Sequence, residues 1–254
     1  MAHYFEANQP VNPADTWELQ VDLAGRPTRV LTAPGVFSGR RLDLGTAVLL
    51  RTELRPSRQG GQAGEPAESA AAGAATNGGQ LEPVAGNLDP GGLMAGLAEA
   101  DQSTHLLDLG CGWGPIALVM ARLAPQATVW AVDVNPRAVD LTSRNADRLG
   151  LPNIRAVLPE AVPEATRFAR IWSNPPIRIG KPELRALLTT WLGRLTANGW
   201  ADLVVQKNLG ADSLARWLET AANYPTERLA SAKGFRVLRC HSPNAAGAEV
   251  TAAN

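Results

Sequence analysis

The stretch HLLDLGCGWGPIALVMARLA, residues 105–124, constrains the fold more than any other part of the chain. An apolar run ends in an aspartate, three glycines follow at alternate positions, and a proline opens a second apolar run. Apolar residues without alternation mark a strand covered on both faces. Glycine permits a tight turn and lets a ligand lie against bare main chain. Proline suits the first turn of a helix, where its missing N–H would have no partner. The pattern of strand, turn and helix then repeats. ATVWAVDV reads as a strand and PRAVDLTSRNADRLG as a helix closed by Gly150. IRAVL, FARIWSN and GWADLVVQ read as further strands, with PELRALLTTWLGRL and DSLARWLETAA as helices around the last of them. Alternation of this length implies βαβ units and an α/β fold: a doubly wound, mostly parallel, seven-stranded Rossmann-like sheet. TERLASA and FRVLRC, joined at Lys233-Gly234, read as a C-terminal antiparallel hairpin.

Outside this core the pattern changes. WELQVDL and RPTRVLTAP predict two strands around a turn at Gly25, and residues 46–51 predict a third, so residues 1–55 form a small β-rich extension. Residues 56–87 are rich in Gly, Ala, Glu, Ser and Gln and nearly lack large apolar side chains. They are expected to be a flexible insertion within a lead-in that ends at residue 100, because they bury too little to offset their ordering entropy. Residues 101–240 are expected to be the main α/β domain and 241–254 a disordered tail.

Composition excludes several classes. The chain has 254 residues, 45% of them hydrophobic, which suits one sizeable domain with a small appendage. No window approaches the roughly 18 apolar residues of a membrane span. His3, Glu6, Asn8 and Gln9 interrupt any signal-peptide core. Cys111, Cys240 and the three histidines show no ligand spacing, so no metal and no disulfide framework are expected. These features predict a soluble cytoplasmic protein. Net charge is zero, yet residues 166–254 hold 12 Lys or Arg against 6 Asp or Glu. A basic face able to bind phosphates and ordinary solvated arginines account for that surplus equally well.

Asp108 sits at the end of the first core strand, ahead of Gly110, Cys111, Gly112 and Gly114. Asp133 ends the next strand, where a carboxylate can accept both hydroxyls of a ribose. The dinucleotide fingerprint G-x-G-x-x-G seats a pyrophosphate on a helix N-terminus. Here the pattern is D-x-G-x-G-x-G, and its acid would repel a pyrophosphate but attract an α-ammonium. S-adenosyl-L-methionine has that ammonium, a ribose and no phosphate. A bare strand-to-helix turn without a ligand leaves Asp133 unexplained.

The second motif is WSNPPIRIGK. Asn174 ends the fourth core strand, beside the glycine loop across the switch point of the sheet. A residue before proline is held extended, so Pro175 fixes Asn174 and Pro176 stiffens the turn. The Asn174 amide oxygen and the Pro175 carbonyl then offer two acceptors for an –NH2 group, and neither proline offers a competing N–H. Arg178 and Lys181 follow at once. Lys181 near a helix start opposes the dipole, which either a phosphate or plain solvation resolves. Trp172, Trp191 and Trp217 sit at core spacings.

Together D-x-G-x-G-x-G, the ribose acid and N-P-P-x resemble class I S-adenosylmethionine-dependent methyltransferases acting on exocyclic or amide nitrogens. GVFS…LDLGTAVLL, DLGCGWGPIAL, SNPPIRIGK and KGFRVLR are similar to the methyltransferase small domain, over residues 36–53 and 106–239. That group includes small-subunit ribosomal RNA guanine-N2 methyltransferases. The resemblance implies Asp108, Gly110, Cys111, Gly112, Gly114 and Asp133 as cofactor residues and Asn174, Pro175 and Pro176 as the catalytic motif. It implies methyl transfer to guanine N2 of 16S ribosomal RNA, with ribosomal RNA or the small subunit as partner. Phe37, Ile177, Arg178 and Lys181 are the candidate substrate residues. The fourth motif position, often aromatic in such enzymes, is Ile177 here. Either Phe37 supplies the missing ring or it packs in the core. A protein glutamine N-methyltransferase and a non-catalytic, cofactor-binding ribosome-assembly factor are the rival readings. A nicotinamide oxidoreductase fits the loop spacing poorly.

Overall fold

The computed structural model describes residues 12–54 and 100–243, so the expected insertion and most of the expected tail lie outside the described residues. β1 (Trp17–Leu23) and β2 (Arg26–Thr32) pair antiparallel as a separate two-stranded sheet. Ala24 and Gly25, with φ of 62° and 77°, make their turn, the two-residue geometry that matches strand twist.

Residues 46–51 are not a strand. They lie within α1, Leu44–Glu53, whose N-cap Asp43 accepts a hydrogen bond from the Thr46 N–H at 3.0 Å. The reason is burial on nearly every side: Gly45 through Leu50 are all buried. An apolar run with no polar stripe hides the 3.6-residue period and looks like a buried strand.

The main sheet consists of β3 (His105–Leu109), β4 (Thr128–Val132), β5 (Ile154–Val157), β6 (Phe168–Ser173), β7 (Leu195–Gln206), β8 (Thr226–Ala232) and β9 (Phe235–His241). Their order is β5-β4-β3-β6-β7-β9-β8. The first five are parallel, and β9 runs antiparallel to both β7 and β8. Lys233 and Gly234, with φ of 50° and 79°, turn β8 into β9. α2 (Pro115–Leu123), α3 (Pro136–Arg148), α4 (Lys181–Leu192) and α5 (Ala211–Thr220) complete the layers.

Alternation along the strands divides two cores. Leu106, Trp172, Val204 and Val237 face one side, with α1, α2 and the N-terminal hairpin. Leu107, Ile171, Leu203 and Leu238 face the other, with α4 and α5. Each fully buried large apolar side chain contributes about 1.5–3 kcal/mol relative to exposure. Trp172 and Trp191 are core residues, as expected, and Trp217 packs against the second core.

Asn145 of α3 attaches the hairpin. Its carboxamide accepts from the Leu31 N–H at 2.6 Å and donates to the Leu31 carbonyl at 2.9 Å, so it pairs with β2 as a strand would. The same side chain donates to the Trp113 carbonyl at 2.9 Å. Beyond β2, residues 33–43 pass over the glycine loop, where Trp113 Nε1 donates to the Ser38 carbonyl at 3.3 Å. α1 then packs on β7 and β9. The N-terminal segment thus crosses the carboxyl edge of the sheet from α3 to β9.

Candidate active site

The loop after β3 is held from the neighbouring strand. The Gly110 and Cys111 N–H groups both donate to the Val132 carbonyl, at 2.8 and 3.1 Å. Gly110 has φ of 80°, and a Cβ there would meet nothing within 4 Å. The turn conformation therefore needs glycine, and the space beside it is open. The Gly112 N–H donates to Asp133 Oδ2 at 3.0 Å, while Asp133 Oδ1 accepts from the Asn135 N–H at 2.9 Å. Asp133 thus braces the loop while standing at the mouth of the sheet. Burial raises its pKa, and those backbone donors pull it back. Gly114 serves a different purpose: a Cβ there would lie 2.9 Å from Thr142, so this glycine lets α2 approach α3.

Asp108 is fully buried. Its Oδ2 accepts from the Ala117 N–H at 2.9 Å, and its Oδ1 has no partner. Burial pushes its pKa up to about 8, against the pull of the Ala117 N–H. Buried carboxyl groups are normally paired, and this oxygen is left without a partner. Cys111 is buried as well, and burial raises its thiol well above the ordinary range. Only the loop position of Cys111, not its sulfur, bears on the site.

β6 ends against β3, where Ser173 Oγ donates to the Leu109 carbonyl at 2.7 Å. That bond sets Asn174 beside the glycine loop. The Asn174 carboxamide nitrogen donates to Asp43 Oδ2 at 2.7 Å and to Thr46 Oγ1 at 3.1 Å. Both amide hydrogens are committed, which leaves Oδ1 as the acceptor. The Pro175 carbonyl, the other expected acceptor, already accepts from the Ile177 N–H at 2.8 Å, which occupies one of its two lone pairs. Pro176, at φ −74° and ψ 75°, closes an inverse γ-turn around that bond. The prolines therefore fix the turn, and Asn174 Oδ1 is the acceptor with no hydrogen bond drawn on it by the turn.

Phe37, Asp43, Thr46, Gly110, Cys111, Gly112 and Asn174 line one depression. Phe37 is 46% exposed there, which rules out the core alternative. Ile177 and Lys181 lie elsewhere: with Leu209 and Ser213 they line a second depression between α4 and α5. Arg178 is exposed on the intervening turn. Sequence reasoning missed Asp43 and Thr46. An aspartate directly before an apolar run is a helix-start signal, and it was available in LDLGT.

Among the described residues no group of His, Cys, Asp and Glu could hold a metal ion, and no helix is long and apolar enough to cross a membrane.

A family model described as methyltransferase small domain matches residues 84–239. An uncharacterized protein of Bacillus subtilis, YbxB, is 37% identical over 130 residues, 50% of this chain and 65% of that protein. Release factor glutamine methyltransferase of Escherichia coli is 41% identical over 78 residues, 30% of this chain and 28% of that one. Ribosomal RNA small subunit methyltransferase C of Aeromonas hydrophila is 27% identical over 196 residues, 76% of this chain and 44% of that one. The chain therefore spans less than two thirds of these relatives' lengths. The solved 16S rRNA N2 G1207 methyltransferase of T. thermophilus, in complex with AdoMet and guanosine, superposes with a TM-score of 0.63 at 21% identity. That likeness covers 92% of this chain and 52% of that one, and it is a likeness of fold.

Proposed function

The chain belongs to the methyltransferase small domain family, and on that premise we propose that it methylates an exocyclic amine of a nucleic-acid base, guanine N2 of 16S ribosomal RNA. The observation that carries this reading is the placement of Asn174 Oδ1, with its amide hydrogens tied down, in one depression with the glycine loop.

The cofactor is S-adenosylmethionine, and the residues present fit it. Asp108 has an unpaired buried oxygen suited to an ammonium, Asp133 stands where a ribose needs an acid, and Gly110 leaves open space. When bound, this cofactor supplies a methyl group on a sulfonium, an electrophile that requires no further activation. The chain's own residues then bind and orient. Asn174 Oδ1 accepts a hydrogen bond from the substrate amine, turns its lone pair toward the electrophile and stabilises the positive charge that grows on nitrogen. Phe37, exposed in the same depression, offers the stacking face that Ile177 lacks. On this reading Arg178 and Lys181, both exposed after β6, meet phosphates of a cytoplasmic ribosomal RNA.

The names of the Aeromonas and Thermus proteins support RNA as substrate. The Escherichia coli relative supports a second reading, a glutamine side-chain amide in a protein, because Asn174 would cradle an amide –NH2 equally well. The test is methyl transfer from radiolabelled S-adenosylmethionine to small ribosomal subunits, naked 16S RNA and release factor. Nucleoside mass spectrometry of the RNA then identifies the product. We expect N2-methylguanosine; label only on the release factor would move the assignment to the second reading.

A further inference from the structure

The motif LDLGT, which the cofactor loop and Asn174 leave without a role, makes direct contact with Asn174. We propose that Asp43 and Thr46 are positioning residues that orient the Asn174 amide, so that the N-terminal segment completes the active site. The inference rests on the reading of Asn174 as the acceptor for the substrate amine. A terminal amide has two nearly isosteric orientations, and the wrong one would present –NH2 to an incoming –NH2. Asp43 Oδ2 accepts from the Asn174 nitrogen at 2.7 Å and from the Thr46 N–H at 3.0 Å, so it faces Asn174 as an acceptor, and Thr46 Oγ1 at 3.1 Å holds the second hydrogen. Rotating the amide would set its oxygen against a carboxylate. One orientation wins, and it is the productive one.

Helix capping alone does not account for this cluster. The cap needs only the bond from the Thr46 N–H to Asp43. It does not need the Thr46 hydroxyl, which is buried and faces Asn174. Nor does it need Gly45, where a Cβ would stand 2.8 Å from the Phe235 ring and 3.0 Å from Asp43 Oδ2. Glycine at 45 allows β9 and the Asp43 carboxylate to close in from both sides. Each residue type in Asp43-x-Gly45-Thr46 thus has a cause in the placement of one amide.

Four variants test this. Asn caps a helix as well as Asp does, so Asp43→Asn keeps α1 but replaces a carboxylate with a group that can offer either an oxygen or an –NH2. Thr46→Val removes the hydroxyl at nearly constant volume, and Thr46→Ser retains it. Asn174→Ala gives the ceiling and identifies the Asn174 side-chain NH2 signals by their disappearance. We expect those signals to exchange slowly with solvent in the wild-type protein, faster in Asp43→Asn and Thr46→Val, and slowly again in Thr46→Ser. Turnover on small ribosomal subunits should fall about tenfold in the first two, as for one lost hydrogen bond, with unchanged KM for S-adenosylmethionine and unchanged Tm. Thr46→Ser should recover most of it. Unaltered NH2 exchange in Asp43→Asn and Thr46→Val, or altered exchange with wild-type turnover, overturns the inference. Should Asn174→Ala itself methylate normally, the acceptor reading fails, and the exchange data still decide whether Asp43 and Thr46 hold the amide.

Discussion

Asp108 is held in conflict: burial favours its protonated form, while its unpaired oxygen invites a cation. With its pKa pushed from 3.8 to about 8, the carboxyl is mostly protonated at pH 6–7 in the ligand-free protein. On the proposed reading the ammonium of the cofactor meets this carboxyl and favours its ionised form, so binding expels a proton. Affinity for S-adenosylmethionine should therefore rise by up to about tenfold per pH unit between roughly pH 5 and 7. Calorimetry in buffers of different protonation enthalpy should register close to one proton released at pH 6.5. Asp108→Asn should abolish that release and weaken binding by about 1.5–3 kcal/mol, the range for a hydrogen bond to a charged group. Asn174→Ala should behave in the opposite way. It leaves the glycine loop and both aspartates intact, so cofactor affinity should hold while single-turnover methylation falls by about 10²–10³, as when one preorganised transition-state hydrogen bond is lost. Both residues were legible in the sequence because each ends an apolar strand at a loop that glycine or proline shapes. Asp43 was not, because its partner lies 131 positions away and the pairing exists only after folding.

At the scale of elements, the parallel strands could be read because both their faces are covered, so apolar residues dominate them without strict alternation. The same signal misled at α1, a helix buried almost all round. What secures α1 to the sheet could not be read either: Glu53, Asp202 and Arg239 come from three distant elements. Arg239 donates through Nε to Asp202 Oδ1 at 2.7 Å and through Nη2 to Asp202 Oδ2 at 2.9 Å and Glu53 Oε2 at 3.1 Å. Trp172 and Trp200 each donate to Asp202 Oδ2 at 3.1 Å. Among the described residues Arg239 alone bonds both carboxyl groups, with Arg170 as a second cation nearby, and Glu53 Oε1 lacks a partner. Burial first, then the charge of Asp202, raises the Glu53 pKa from 4.5 to about 9, against the pull of Arg239. The folded protein thus keeps a proton that the unfolded chain gives up above about 4.5. The stability from this group is full below that pH, declines as pH rises, and is gone once the pH passes about 9. Glu53→Gln mimics the protonated form, with an oxygen for Arg239 and an –NH2 for Asp202. Denaturant melts from pH 5 to 9 should show the wild-type decline and a flatter profile for Glu53→Gln. Equal slopes would mean that Glu53 is ionised in the folded protein.

Across the whole molecule, the neutral net charge conceals a gathering of exposed bases at one edge of the sheet. Arg178 and Lys181 follow β6, Lys207 follows β7, and Lys233 lies in the β8–β9 turn beside it, where the Lys207 N–H donates to the Gly234 carbonyl at 2.8 Å. Arg40 and Arg41 precede α1 on the segment that crosses the glycine loop. All six are exposed, and the topology delivers them to the carboxyl edge of the sheet, the edge that holds Asn174 and Phe37. Neighbours on that rim are drawn from segments about 190 residues apart, so composition along the chain shows the C-terminal surplus but not the rim. On the proposed reading this rim meets RNA phosphates, and its contribution should be electrostatic rather than catalytic. Arg178→Ala and Lys181→Ala should each weaken binding of 16S RNA and lower the slope of log K against log salt by about 0.7–0.9, the value for one released counterion. Their double variant should lower it by about twice that. Cofactor affinity should not change, since neither side chain lines the depression at the glycine loop. Arg167→Ala is the control, being exposed at the amino end of β6 on the opposite edge. A slope that falls as much for Arg167→Ala as for Arg178→Ala would mean that RNA contacts the protein without regard to the edge carrying the site. A slope unmoved by all three would remove phosphate contact from the role of Arg178 and Lys181 and leave them as solvated surface charges.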